Sequence, residues 1–328
     1  MIVLSVLAVG VAGAYAASAF VRYQERTTGP SEVGTTTLDE GLRIMFRNTA
    51  AGQGYGHLAS VSLNDPGGLR ELTQVPCDRV YTNQKVVSCL LVVRGIPPRY
   101  RASLMDNELK PLTEWPLAGI PNRTRVSNEG LVATTAFVTG HSYASDSFST
   151  ETSIKSLDGK DYGNLEDFSI MIEGQKLTAA DKNVWGVSFV DYNTFYATVA
   201  SGGQTWLVLG NLNERRMTAV LQNAECTSVS PDGSKVAYKK RRISRPGETL
   251  VHWDAAVLDI ASNKETVIGI ESGFDDQLEW LDDQTLLFGL ARKDTVGDSD
   301  IYSIRAKAGA TPELFIEHAW SPSVERSR

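Results

Sequence analysis

The chain has 328 residues, 42% hydrophobic and 22% charged, an ordinary globular balance with enough length to bury a large core. Its formal net charge of −7 would repel a phosphate backbone on average, which argues against nucleic acid as a partner.

Residues 1–21 carry no charged side chain, and the first charge is Arg22. An apolar run of roughly twenty residues matches the hydrocarbon thickness of a bilayer, so an N-terminal hydrophobic helix acting as a transmembrane anchor is expected. The rival is a secretory signal peptide, because Ala14, Ala16, Ala17 and Ala19 offer small-residue cleavage sites. Arg22 and Arg26 follow the segment, and the positive-inside rule would hold the body in the cytoplasm; the cysteines argue the other way. Residues 22–40 are polar, rich in Thr and Gly and without apolar period, and read as a flexible linker. The folded body is expected over 41–328.

From residue 41 onward one series of events recurs: a strand, a tight polar turn, an apolar strand, a variable loop, then a third strand. The clearest copy is SVSPDGSKVAYKK, residues 228–240. Pro231 presets φ and Gly233 accepts a positive φ, so the flanking strands can pair. Other copies begin at Arg79, Thr124, Ser188 and Leu278, and the third strands carry Leu63, Met105, Leu157, Leu209, Leu258 and Ile304 at intervals of about 40 to 52 residues. A fourth strand is expected at the Leu-Thr pairs of Leu72, Leu112 and Leu177. The first unit lacks its opening strand, whereas residues 318–325 supply a spare one. The expectation is all-β: a six-bladed β-propeller closed by a C-terminal strand that completes the first blade.

The residues Ser230-Pro231-Asp232-Gly233, the degenerate copy Trp320-Ser321-Pro322 and the Leu-Thr pairs resemble the TolB-like, WD40-like (PD40 repeat) β-propeller family. Runs at Gly163, Trp185, Phe195 and Cys226 are similar to membrane-tethered TolB-like proteins of Gram-positive bacteria. The resemblance implies a non-catalytic protein-binding or scaffold propeller at the cell envelope. The extra N-terminal domain of TolB proper has no counterpart in this sequence.

Cys77 and Cys89 flank the turn at Asn83 and Gln84, so they are expected to face each other and form a disulfide; two buried free thiols are the alternative. A disulfide would place the propeller outside the cytoplasm. Cys226 is left over for packing.

No nucleophile elbow, P-loop, zinc motif or C-x-x-C occurs, and no cofactor or metal is expected. The glycine-rich stretch 52–56 reads as a flexible connector, and Asp298 and Asp300 as solvated turn acids rather than cation ligands. The long connections all join second to third strands and so share one rim, the expected binding face. On it lie Tyr55, His57, His141 and Tyr143, and the basic cluster Lys239, Lys240, Arg241, Arg242 and Arg245. Both chain ends approach the opposite rim, so the tether would turn the plain side toward the membrane.

These features point to a monomeric, single-pass, extracytoplasmic interaction module with an envelope protein as partner; the alternative location is secretion after signal cleavage. Two other functions remain open: a propeller hydrolase acting on glycans or lactones at the central channel, and a basic-loop sensor of anionic envelope polymers. An enzyme should gather two or more buried, mutually oriented carboxylates at the channel mouth.

Overall fold

The computed structural model describes residues 2–37, 41–138, 149–242 and 251–326; within α1 (Ile2–Thr27) the side chains at 2–9, 12 and 16 lie outside the description. Blade 1 contains β1 (Arg43–Asn48), β2 (His57–Ser62) and β3 (Glu71–Pro76). Blade 2 is β4 (Arg79–Thr82), β5 (Val86–Val93), β6 (Arg99–Asp106) and β7 (Pro111–Pro116). Blade 3 is β8 (Ile120–Val126), β9 (Leu131–Val138), β10 (Ser149–Ser156) and β11 (Asp161–Asn164). After β12 (Ser169–Ile172) and β13 (Gln175–Lys176), blade 4 is β14 (Asn183–Phe189), β15 (Thr194–Ser201), β16 (Gln204–Asn211) and β17 (Arg216–Gln222). Blade 5 is β18 (Glu225–Val229), β19 (Lys235–Arg241), β20 (Trp253–Asp259) and β21 (Lys264–Ile268). Blade 6 is β22 (Glu279–Asp282), β23 (Thr285–Ala291), β24 (Ser299–Arg305) and β25 (Glu313–Ile316), and β26 (Ala319–Val324) follows.

Each blade is an antiparallel meander, and β26 pairs with β1 to complete blade 1 in the order β26-β1-β2-β3. The innermost strands β26, β4, β8, β14, β18 and β22 touch in an unbroken cycle back to β26. The protein is therefore a closed six-bladed β-propeller. Local chemistry explains its turns. Gly233 takes a φ of 71°, and Asp232 accepts hydrogen bonds from Ser230 Oγ (2.6 Å) and the Ser234 amide (3.0 Å). These bonds pull the Asp232 pKa down to about 2.

Second strands such as β9 and β15 are buried on both faces because each blade is covered by two neighbours. Across the closing seam, Ile44, Phe46, Val61, Leu287, Ile301, Ala319 and Val324 form one core cluster shared by blades 1 and 6. Arg70, only 4% exposed, donates to Asn48 Oδ1 (2.8 Å), Glu317 O (2.7 Å) and His318 O (3.1 Å). It thus ties blade 1 to the segment that crosses from β25 to β26.

Four expectations are corrected, the last at Asp298 and Asp300. Leu177 follows β13, which is no fourth strand of blade 3: β11 holds that place, and β12 pairs in parallel with β17, adding β12 and β13 to the outer edge of blade 4. Residues 22–27 continue α1 rather than opening a linker. The disulfide Cys77–Cys89 is present, with Cα atoms 5.7 Å apart, but the two are not a facing strand pair. Val80 is opposite Cys89, and Cys77 reaches it from the bend before β4.

Asp298 and Asp300 are 5% and 7% exposed, not solvated. Asp298 accepts from Thr49 Oγ1 (2.7 Å) and lies 2.7 Å from His318 Nδ1, while Arg292 grips Asp300. These contacts pin blade 6 to blade 1.

Arg70→Met keeps much of the side-chain volume but strands three buried acceptors. It should lower unfolding free energy by about 3 kcal/mol, measured by urea denaturation; an unchanged midpoint would show that the seam does not depend on this guanidinium.

Candidate functional site

The central channel is filled by charge. Arg125 on β8, 5% exposed, donates to Glu279 Oε2 (2.8 Å) and Leu278 O (2.8 Å) across the axis, and its guanidinium stacks 4.4 Å from the Tyr81 ring centre. Arg326, after β26, donates to the second oxygen of Glu279 (2.7 Å). One carboxylate thus holds two guanidiniums. Further along the channel, Arg79 and Arg123 lie 3.6 and 3.8 Å from Asp276 Oδ1. Burial, reinforced by the like charge of Arg123, pulls the Arg79 pKa down to about 10. The Asp276 and Glu279 carboxylates are buried, and each is paired with arginines. Among the described residues no cluster of His, Cys, Asp and Glu could hold a metal ion.

The inner strands meet so closely that glycine is required at Gly186. Its φ is 64°, and a Cβ there would lie 2.8 Å from Cys226 Cα. Cys226 is buried as expected, with Arg123 Nη2 3.7 Å from its sulfur.

The channel opens at one end into a cavity of about 370 Å³. Its wall is made by the tight turns between first and second strands: Asn83, Gln84 and Lys85 of blade 2; Ser127, Asn128 and Glu129 of blade 3; Val190 of blade 4; Pro231 and Gly233 of blade 5. Arg125 and Arg326 form its floor. Sequence reasoning missed this mouth, although it read tight turns at Asn83 and Gln84 and at Pro231 and Gly233, because the convergence of such turns on the axis follows only from ring closure.

Among the described residues, none of those expected on the long-loop rim lines the cavity. Tyr55 lies between the guanidiniums of Arg26 and Arg47, 5.8 and 5.3 Å from its ring centre, and donates to Gly297 O (3.1 Å). His57 Nδ1 is 3.1 Å from Thr73 O. Lys239 is 3% exposed and pairs with Asp275 (2.5 Å); burial opposes its charge, yet Cys226 and Asp275 beside it raise its pKa above the ordinary value. Lys240 pairs with Glu265 (2.7 Å), Arg242 with Asp254, and Arg241 is exposed. The cluster is thus split among ion pairs. His141, Tyr143 and Arg245 lie outside the described residues.

The direction of the N-terminal segment is also corrected. Residues 29–36 form a strap beside blade 1: Gly52 N donates to Arg26 O (2.8 Å), Gln53 N to Gly29 O (3.0 Å), Glu32 N to Ala51 O (3.1 Å) and Thr36 N to Arg70 O (2.9 Å). A Cβ on Gly52 would lie 2.1 Å from Pro30 O. The glycine-rich stretch is therefore packed, not a loose connector. The strap sets the end of α1 on the long-loop rim, opposite the cavity. Tyr23 there stacks on Arg94 at 4.5 Å. Among the described residues no helix is long and apolar enough to cross a membrane; the expected anchor at 1–21 falls largely on side chains outside that description.

No protein-family model matches the chain, and no curated protein matches it. It is similar to an oligogalacturonate lyase from Vibrio parahaemolyticus, at 10% identity and TM-score 0.48 over 75% of this chain and 71% of that one. It is also similar to a puromycin-hydrolyzing peptidase of Mycobacterium tuberculosis, at 14% identity and TM-score 0.47. That alignment covers 89% of this chain but only 46% of the peptidase. The β-propeller domain of the Trilobed protease from Pyrococcus furiosus aligns at 11% identity and TM-score 0.42, over 73% of this chain and 69% of that one. The propeller assignment itself rests on the sheet order described above.

Glu279→Gln removes the charge shared by two guanidiniums and should cost about 3 kcal/mol of stability. Arg326→Ala, at the partly exposed end of the same network, should cost less. Equal losses in thermal and chemical denaturation would show that Glu279 is not the hub.

Proposed function

We propose that this chain is a non-catalytic, membrane-tethered propeller that stands outside the cytoplasm and binds an envelope protein partner at the tight-turn mouth of its channel. The observation that carries the reading is the cavity of about 370 Å³ on the axis, walled by turns from four blades and facing away from the rim where α1 ends. A concave site on a rigid ring can seat a short protruding segment with little reorganisation. Asn83, Gln84 and Asn128 supply amide donors and acceptors, and Phe189, Val229 and Pro231 supply apolar contact. The apolar run at residues 1–21 supports the tether, and the Cys77–Cys89 bridge supports an oxidising compartment. The sequence resemblance to TolB-like propellers is in keeping with a binding role. With Arg125 and Arg326 already engaged by Glu279, the floor orients a ligand rather than transferring protons.

A photo-crosslinking residue at Asn128 or Gln84 in intact cells should capture a discrete partner, while the same group at the exposed Leu112 of the blade 2 outer strand should not. Equal capture at all three positions, or capture only at Leu112, would overturn the assignment of the mouth.

A further inference from the structure

Among the described residues outside α1, the two most exposed large apolar side chains are Ile96 and Val296, at 105% and 85% of full exposure. Single exposed apolar residues are ordinary on protein surfaces. These two, however, occupy corresponding positions, at the tips of the second-to-third-strand connections of blades 2 and 6. Those same connections flank the end of α1: Arg94 stacks on Tyr23, and Gly297 O accepts from Tyr55, which also carries Arg26. Helix end and apolar tips therefore share one patch of the long-loop rim.

Both tips are suited to leaving water. In the blade 2 connection, Arg94-Gly95-Ile96-Pro97-Pro98 is exposed throughout, and its two prolines bring no amide donor that would need a partner in a lipid interface. The blade 6 connection satisfies amides within itself, with Asp298 N donating to Thr295 O (3.0 Å) and Arg292 N to Asp298 O (3.0 Å). Around Ile96 stand the exposed Arg94 and Arg99, and Arg22 is exposed on α1. At the other tip Lys293 is offset by Asp294, so the basic bias lies on the blade 2 side.

We propose that this part of the long-loop rim is a lipid-contact surface: Ile96 and Val296 enter the boundary between headgroups and acyl chains, and Arg94, Arg99 and Arg22 meet anionic headgroups. The inference rests on the tether reading for the face it presents, and adds that the ring lies against the bilayer instead of swinging free. Apolar tips with arginines beside one of them gain from both hydrophobic burial and attraction to an anionic surface.

The test uses the full chain reconstituted with phosphatidylcholine vesicles, with or without phosphatidylglycerol. An environment-sensitive fluorophore is attached at Ile96→Cys, Val296→Cys or, as a control on the opposite rim, Lys85→Cys, all in a Cys226→Ser background. We expect a blue shift at positions 96 and 296, larger with phosphatidylglycerol, and none at 85. Ile96→Asp should abolish the shift at 296 or reduce it several-fold. Chain that floats with vesicles while both labels still report water would overturn the rim contact and leave the tether standing. Shifted labels on chain that high salt strips from the vesicles would support the contact and overturn the tether. A shift already present without vesicles would mean that the tips pack on another copy of the chain, and that result also overturns the proposal, as does failure to associate with vesicles at all.

Discussion

The pairing of β26 with β1 is the interaction on which everything else depends, because it brings residues more than 270 positions apart into register, Ile44 opposite Val324 and Met45 opposite Ser323. A meander of blades without that pairing would leave β1 with a bare inner edge and the blade 1–blade 6 cluster of Ile44, Phe46, Leu287 and Ile301 open to water. The seam is reinforced where strand pairing alone would be weak. The β26 register is irregular between Met45 and Arg47, and Ser321 sits at a φ of 58°. Arg70, the Asp298–His318 contact and the Ser323 hydroxyl, which accepts from Thr82 N at 2.9 Å, surround that irregularity with polar ties.

Closure also decides what the axis can do. Six inner strands converge on a narrow bore, and apolar side chains large enough to fill it would have to be matched in shape from six directions. Guanidinium–carboxylate pairs reach across instead, each arginine spanning from one blade to another, as Arg125 does from blade 3 to blade 6. Such a network brings little net stability once desolvation is counted, but it leaves few ways for the inner strands to slip, since any shift would strand a buried charge. A bore occupied in this way leaves open space at its tight-turn mouth, where the cavity of about 370 Å³ lies.

The blades were legible because their signals are local. The Pro-Asp-Gly turn, alternating apolar strands and the period between them depend on neighbours a few residues away. The missing first strand and its C-terminal substitute followed by counting. What failed was non-local. The Gly-Gln-Lys-Leu-Thr run looked like a fourth strand because it ends as the others do, yet nothing within it reveals that β12 will pair with β17. The run from Lys239 to Arg242 looked like one basic surface, although alternation along a strand sends neighbours to opposite faces. Lys239 accordingly turns inward to Asp275, and Lys240 pairs with Glu265 on another side.

The strap shows most plainly how a short segment can reverse a conclusion drawn from topology. Strand direction puts the start of β1 at the tight-turn rim, and from that alone the N-terminal segment should leave the ring there. Residues 29–36 instead travel back along blade 1, because the backbone of the 49–56 loop offers amides and carbonyls that the strap satisfies in turn. Gly52 makes the approach feasible: its φ of 95° and the absence of a Cβ let Pro30 O come to where any side chain would stand. The long-loop rim thereby receives α1, and the cavity is left on the free face. The face that carries α1 is set by one glycine and a few backbone hydrogen bonds rather than by where the first strand begins.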